Sequence, residues 1–98
     1  MQTVWERRDR LHIMAEIMET TKESQLKTRI MYGANLSFSQ VNEYLSFLTQ
    51  RGFLRVRVEN GKKFYETTAK GNQYIENYRE MSNLLRQIEP VETKMLVR

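Results

Sequence analysis

A chain of 98 residues, 40% hydrophobic and 29% charged, is long enough for one small folded domain with a single core and too apolar to be disordered. It has no cysteine, which excludes disulfides, thiolate zinc sites and cysteine nucleophiles and fits a cytosolic setting. The formal net charge of +4 is unevenly placed: residues 1–22 carry four charges of each sign, 23–50 two of each and 64–98 five of each, whereas 51–63 carry five positive against one negative.

Residues 4–20 are expected to form the first helix, because Leu11, Met14 and Met18, with Ile13 and Ile17 beside them, recur at steps of three and four. Trp5 is expected to cap the core or join a partner contact. The only histidine, His12, is read as a packed or surface side chain rather than a ligand. Thr20, Thr21 and Lys22 read as a polar connection. Ser24 can then cap a second helix over 25–32, with Leu26, Ile30 and Met31 inward. Gly33 is suited to end it through a left-handed residue, with Asn35 helping the turn.

Ser37-Phe38-Ser39-Gln40 has the form of a capping box, which starts a third helix over 38–51. Phe38, Val41, Leu45 and Leu48 give its expected inner stripe, and Ser39, Glu43, Ser46 and Gln50 point the other way. Gly52 closes it. Residues 53–59 alternate, with Leu54, Val56 and Val58 on the side expected to be half-buried and Arg55, Arg57 and Glu59 opposite. Asn60-Gly61 is a type I′ hairpin signal, and 63–67 make the return strand. Thr68 can cap a last helix over 69–88, where Tyr74, Tyr78, Met81, Leu85 and Ile88 recur as a heptad seam. Pro90 ends or kinks it. The order helix, helix, helix, hairpin, long helix is α+β, mostly helical: a winged helix-turn-helix with a long C-terminal dimerisation helix. The expected division is a winged-helix domain over 1–68 and a C-terminal coiled-coil helix and tail over 69–98.

The block KTRIMYGANLSFSQVNEYLSFLTQRGFL, residues 27–54, resembles the archaeal winged-helix family typified by the ten-kilodalton nucleoid protein of Sulfolobus. Members of that family carry a similar Lys-Thr-x-Ile-Met-Tyr-x-Ala-Asn-Leu-Ser stretch, and Tyr65-Glu66-Thr67-Thr68-Ala69-Lys70-Gly71 resembles their strand-to-helix junction. The resemblance implies binding to double-stranded DNA, as a transcription regulator or a chromatin-organising protein. It also implies a homodimer made by an antiparallel coiled coil of the last helix, from which Pro90 is a departure. A cytoplasmic, nucleoid-associated location is expected.

Two regions are candidates for DNA contact. Hydroxyl and amide side chains at Ser37, Ser39, Gln40, Asn42 and Ser46 can meet phosphates or base edges, although any surface helix shows a polar face. Lys27 and Arg29 ahead of the turn can clamp phosphates or face solvent. Arg51, Arg55, Arg57, Lys62 and Lys63 hold the charge excess, and phosphate neutralisation by such groups drives affinity through counterion release. A solvated, charged edge that blocks strand aggregation is the plain alternative. The dimerisation candidates are Tyr74, Tyr78, Met81, Leu84, Leu85 and Ile88, because a domain this small does not reach the far turns of the last helix. No apolar run approaches the roughly 20 residues of a membrane span, and the N-terminus carries no signal-peptide core. A single histidine and the absence of a Gly-rich phosphate loop or a carboxylate cluster point away from an enzyme, and no metal or cofactor is expected. A protein-interaction adaptor and an RNA-binding module remain the alternatives.

Overall fold

A computed structural model of the chain describes residues 9–86. The expected helix start at residue 4, Trp5, Ile88, Pro90 and the tail lie outside the described residues. Helix α1, Arg10–Thr20, begins at Asp9, whose Oδ1 accepts from the His12 amide at 2.9 Å. Its buried face is Ala15, Ile17 and Met18, with Ile13 and Met14 packed beside them. Leu11, expected in the stripe, is 46% exposed, because the first turn of the helix runs past the core. Thr21 departs further from expectation: it is fully buried. The cost of burying its hydroxyl is offset by hydrogen bonds. Thr67 Oγ1 donates to the Met18 carbonyl at 2.6 Å, and Thr21 Oγ1 lies 2.8 Å from both Thr67 Oγ1 and the Ile17 carbonyl.

The second helix is shorter than its periodicity suggests. Gln25–Leu26 is a two-residue strand, β1, and α2 runs Lys27–Gly33 with Leu26 at its N-cap, so Ser24 does not cap it. A strand of two residues has no pattern of its own and exists because it finds a partner. The turn after α2 also differs from expectation. Asn35, not Gly33, takes the left-handed backbone, at φ 54°. The Asn35 amide donates to the Tyr32 carbonyl at 3.2 Å and the Leu36 amide to the Met31 carbonyl at 3.0 Å, which is a Schellman closure with asparagine in the position usually given to glycine.

Helix α3, Phe38–Gln50, starts at the expected capping box: Ser37 Oγ accepts from the Gln40 amide at 3.1 Å, and Gln40 Oε1 accepts from the Ser37 amide at 2.9 Å. Val41, Leu45 and Leu48 are buried, but Phe38 is 63% exposed and does not join them. The first turn of α3 overhangs the core. Its last turn closes as a second Schellman motif, with Gly52 at φ 82° and the Phe53 amide donating to the Leu48 carbonyl at 2.9 Å.

Strands β2, Leu54–Glu59, and β3, Lys62–Thr67, form the hairpin, with positive φ at both Asn60 and Gly61 as a type I′ turn requires. The antiparallel sheet has the order β1-β3-β2, with Leu54 opposite Thr67 and Glu59 opposite Lys62. Only the base of the hairpin reaches the core. Leu54 is buried, whereas Val56 is exposed and Val58 is 64% exposed, against the expected half-buried stripe. The wing extends beyond the helices that would have covered those valines. Helix α4, Ala69–Arg86, starts where the Thr68 hydroxyl accepts from the Gly71 amide at 3.2 Å and donates to the Gly52 carbonyl at 2.6 Å. Gly71 and Ile75 are buried, so the first turns of α4 close the same core as α1, α3 and β3. The structure is thus a winged helix: a helical core, a small antiparallel sheet and a C-terminal helix.

Candidate nucleic-acid interface

Two elements project from the core on the side of α3. The first is the outer face of α3, where Ser39, Gln40, Glu43, Ser46 and Gln50 are exposed. The polar ends of Ser37 and Gln40 are engaged in the capping box, so they order the helix start as well as lying on its surface. Gln50 Nε2 lies 3.5 Å from Ser46 Oγ. The second element is the wing, where five of the six β2 residues are exposed.

Cross-strand register sorts the wing's charges. Paired residues share a face, so Arg55 and Arg57 lie with Lys62, Phe64 and Glu66, while Lys63 lies with Val56, Val58 and Tyr65. Tyr65 and Val56 line a cleft against Asn42, Ser46 and Gln50 of α3, with a volume of about 300 Å³. Lys63 is therefore on the α3 side of the wing, and the two arginines are on the open side. Arg55 Nε is 3.4 Å from Glu66 Oε1, and Arg57 Nη2 donates to Ser24 Oγ at 3.2 Å. Both interactions are solvent-exposed, and such pairs contribute little to stability.

The helix pair before the wing holds an interaction that neither alternation nor periodicity suggests. Lys27 Nζ donates to Asn42 Oδ1 at 2.6 Å and sits 5.1 Å from the centre of the Phe38 ring. The fold thus brings Lys27 and Asn42 together and adds Phe38, which its spacing assigns to the core. Arg29 is exposed on α2, and Arg51, at the C-cap of α3, stacks on Phe47 with 4.8 Å between the guanidinium carbon and the ring centre. Along α3 and the wing, cations therefore lie at both ends of a polar helix whose one charged side chain is the exposed Glu43.

The expected seam on α4 divides in two. Tyr74 and Tyr78 pack on α1 of their own chain, with their rings stacked at 6.3 Å. The Tyr74 hydroxyl donates to the Leu11 carbonyl at 2.7 Å, and the Tyr78 oxygen is 3.2 Å from His12 Nδ1. Burial, with smaller contributions from Tyr78, Asp9 and Tyr44, pushes the Tyr74 phenol up to about 12. Arg79 pairs with Glu19. Met81, Leu84 and Leu85, farther along, are exposed. Among the described residues there is no group of three or more histidines and carboxylates placed to hold a metal, and no helix long and apolar enough to cross a membrane.

Comparison with known proteins agrees with this architecture. A family model described as winged helix-turn-helix matches residues 7–86. An uncharacterised protein of Methanocaldococcus jannaschii is 37% identical over 68 residues, covering 62% of this chain and 70% of that protein. A second protein from the same organism is 32% identical over 80 residues, and the match spans 81% of this chain but only 36% of that longer protein. Among solved structures, Sso10a-2, a DNA-binding protein from Sulfolobus solfataricus, superposes with a TM-score of 0.77 at 28% identity, covering 93% of this chain and 98% of its own. The transcriptional regulator BldR from the same organism shares the fold with a TM-score of 0.65 at 19% identity, covering 86% of this chain and 67% of its own. With the capped helix pair, the basic wing and these likenesses together, the chain belongs to the winged helix-turn-helix family, of the archaeal kind that its 27–54 block resembles.

Proposed function

We propose that this protein binds double-stranded DNA as a homodimer, with α3 in the major groove and the wing on the flanking backbone. The observation that carries the reading is the wing itself. It projects off the core and holds Arg55, Arg57, Lys62 and Lys63 beside a helix whose exposed face is hydroxyl and amide apart from Glu43, a carboxylate that phosphate repels and that accepts from a cytosine amino group or faces solvent. An α-helix fits the major groove, and hydroxyls and amides hydrogen-bond to phosphates and base edges. The helix is poor in cations, so the affinity comes from the wing with Arg51 and Arg29, and α3 sets orientation. Lys63 supports the strand nearest α3, and Arg55, Arg57 and Lys62 reach the phosphates beyond. The likeness to Sso10a-2, itself a DNA-binding protein, supports the same assignment. The role is that of a transcription regulator or a chromatin-organising protein rather than an enzyme, acting in the cytoplasm at the nucleoid.

The test is binding to a short duplex across a salt series. Affinity should fall steeply with salt. The R55A/R57A/K62A/K63A variant should flatten the log–log slope by about 0.9 for each phosphate that is no longer neutralised. An unchanged slope and affinity in that variant would remove the wing from the interface. Tighter binding to RNA than to the matching DNA would assign the same surface to RNA. A protein partner is the second reading, favoured by a cleft of about 400 Å³ in which Arg10 and Met14 of α1 face Tyr44 and Phe47 of α3. Absence of duplex binding at low salt would turn the assignment to that cleft.

A further inference from the structure

Phe38 is a large apolar side chain at the first position of α3, 63% exposed, and it is held from one side. Asn42 lies one helical turn farther on the same flank. Lys27 of α2 joins the two: its ammonium sits over the Phe38 ring at 5.1 Å and donates to Asn42 Oδ1 at 2.6 Å. An ammonium has three donors and no acceptor, so the Asn42 atom it meets must be the carbonyl oxygen. That leaves Asn42 with N–H donors to offer outward. The bidentate reading of adenine needs the carboxamide oxygen as well as its nitrogen, and Lys27 already occupies one of that oxygen's two lone pairs, which favours readout through the nitrogen alone. What remains is an apolar ring edge next to an amide donor.

Only one base presents the complement of that pair in the major groove. Thymine shows the O4 acceptor beside the C5-methyl group; cytosine shows a donor and no methyl, and neither purine has a methyl. The residues that open a recognition helix are those that reach base edges. We infer that Phe38 and Asn42, set in place by Lys27, form a thymine-reading unit, with the ring covering the C5-methyl and Asn42 Nδ2 donating to O4. This rests on α3 entering a major groove as proposed above. Lys27 acts as a positioning residue: its charge fixes the ring and the carboxamide as much as it attracts any phosphate.

Removing the methyl group alone tests it. The probe is a short alternating adenine–thymine duplex, compared with the same duplex carrying deoxyuridine at every thymine, with affinities measured for the full chain by fluorescence anisotropy at one low salt concentration. The wild type should favour the thymine duplex roughly fourfold per contacted base, the effect of burying about one methyl group. F38A should bind both duplexes equally, and F38L, which keeps an apolar side chain, should retain most of the preference. Phe38 is outside the buried core, so matching thermal melts of the three proteins verify that each is folded. Equal wild-type affinity for the two duplexes, with salt-dependent binding intact, would overturn the thymine assignment and leave DNA binding standing. A preference that survives in F38A would also overturn it, because duplex shape would then be what is read. No binding to either duplex would overturn both.

Discussion

At the scale of single residues, a tight point of the fold is Gly71 in α4. A Cβ built there would come within 2.5 Å of both the Phe53 carbonyl oxygen and Thr67 Cγ2, and within 3.4 Å of the Met18 sulfur. Alanine in place of glycine would gain about 1 kcal/mol of helix propensity. It would lose more, because a backbone carbonyl cannot move aside as a long side chain can, and overpacking of this kind costs about 1–3 kcal/mol and occasionally more. G71A is therefore expected to lower the melting temperature, by roughly 10 °C for a domain of this size. An equal or higher melting temperature would show that α4 can slide away from β3 without loss. Tyr74 supplies a second residue-scale prediction. Its phenol ionises near 10 in the unfolded chain and near about 12 in the folded one, chiefly because of burial. The folded state favours the neutral phenol, so this contribution is complete below pH 10 and is lost as pH rises from 10 to 12. Below pH 10 the wild type should exceed Y74F by about 1 kcal/mol, the hydrogen bond to Leu11 being the difference. Thermal melts from about pH 8 to pH 12 should show that advantage shrinking only above pH 10 and reversing before pH 12, since ionisation of the unfolded phenol outweighs one hydrogen bond. An advantage that stays constant to pH 12 would show that folding leaves the Tyr74 phenol at its ordinary value.

At the scale of elements, the wing is held by its base and by its turn. Leu54, Tyr65 and Thr67 are buried at the base, and the tip depends on Asn60 and Gly61 keeping positive φ. Valine at position 61 would face the steric penalty of a left-handed backbone, about 1–2 kcal/mol. Because the tip is remote from the core, G61V should speed amide exchange along the outer half of β2 and β3 while lowering the melting temperature less than G71A does. Affinity for duplex DNA should fall with it, if the wing must be ordered to contact phosphates. The turn itself is legible in the sequence, as are the Ser37 capping box and the closure at Gly52, because each is a local backbone requirement met by a particular side chain. Phe38, Val56 and Val58 are not legible as exposed residues. Periodicity tells which side of an element a residue is on, and Val56 and Val58 are on the expected side; it does not tell where the covering element stops. Thr21 fails in the opposite direction, since its polar side chain is buried by a partner 46 residues away. The Lys27–Asn42 hydrogen bond joins two helices across a turn and has no signature within either.

At the scale of the molecule, α4 is longer than the domain it closes. Its 18 residues extend about 27 Å at 1.5 Å per residue. Gly71 and Ile75 are in the core, and Tyr74 and Tyr78 rest on α1. Beyond them Met81 is 43% exposed, Leu84 67% and Leu85 53%, an apolar run left bare that is the surface the proposed homodimer would use. Two copies related by a two-fold axis would bury these side chains against each other and hold two wings on one scaffold. In the proposed dimer the second wing would meet the same duplex at a high effective concentration, which would link self-association to DNA affinity. Replacing both leucines, in L84E/L85E, should give a monomer of 11.8 kDa by sedimentation, against a species of twice that mass for the wild type. Neither leucine is in the core, so the variant should keep its helix content. Its melting temperature should cease to depend on protein concentration, as it must in a chain whose folding is no longer coupled to association. The same variant should lose duplex affinity while each wing remains intact. If the wild type sediments as a monomer, α4 extends into solvent for another purpose, and each wing must bind DNA alone.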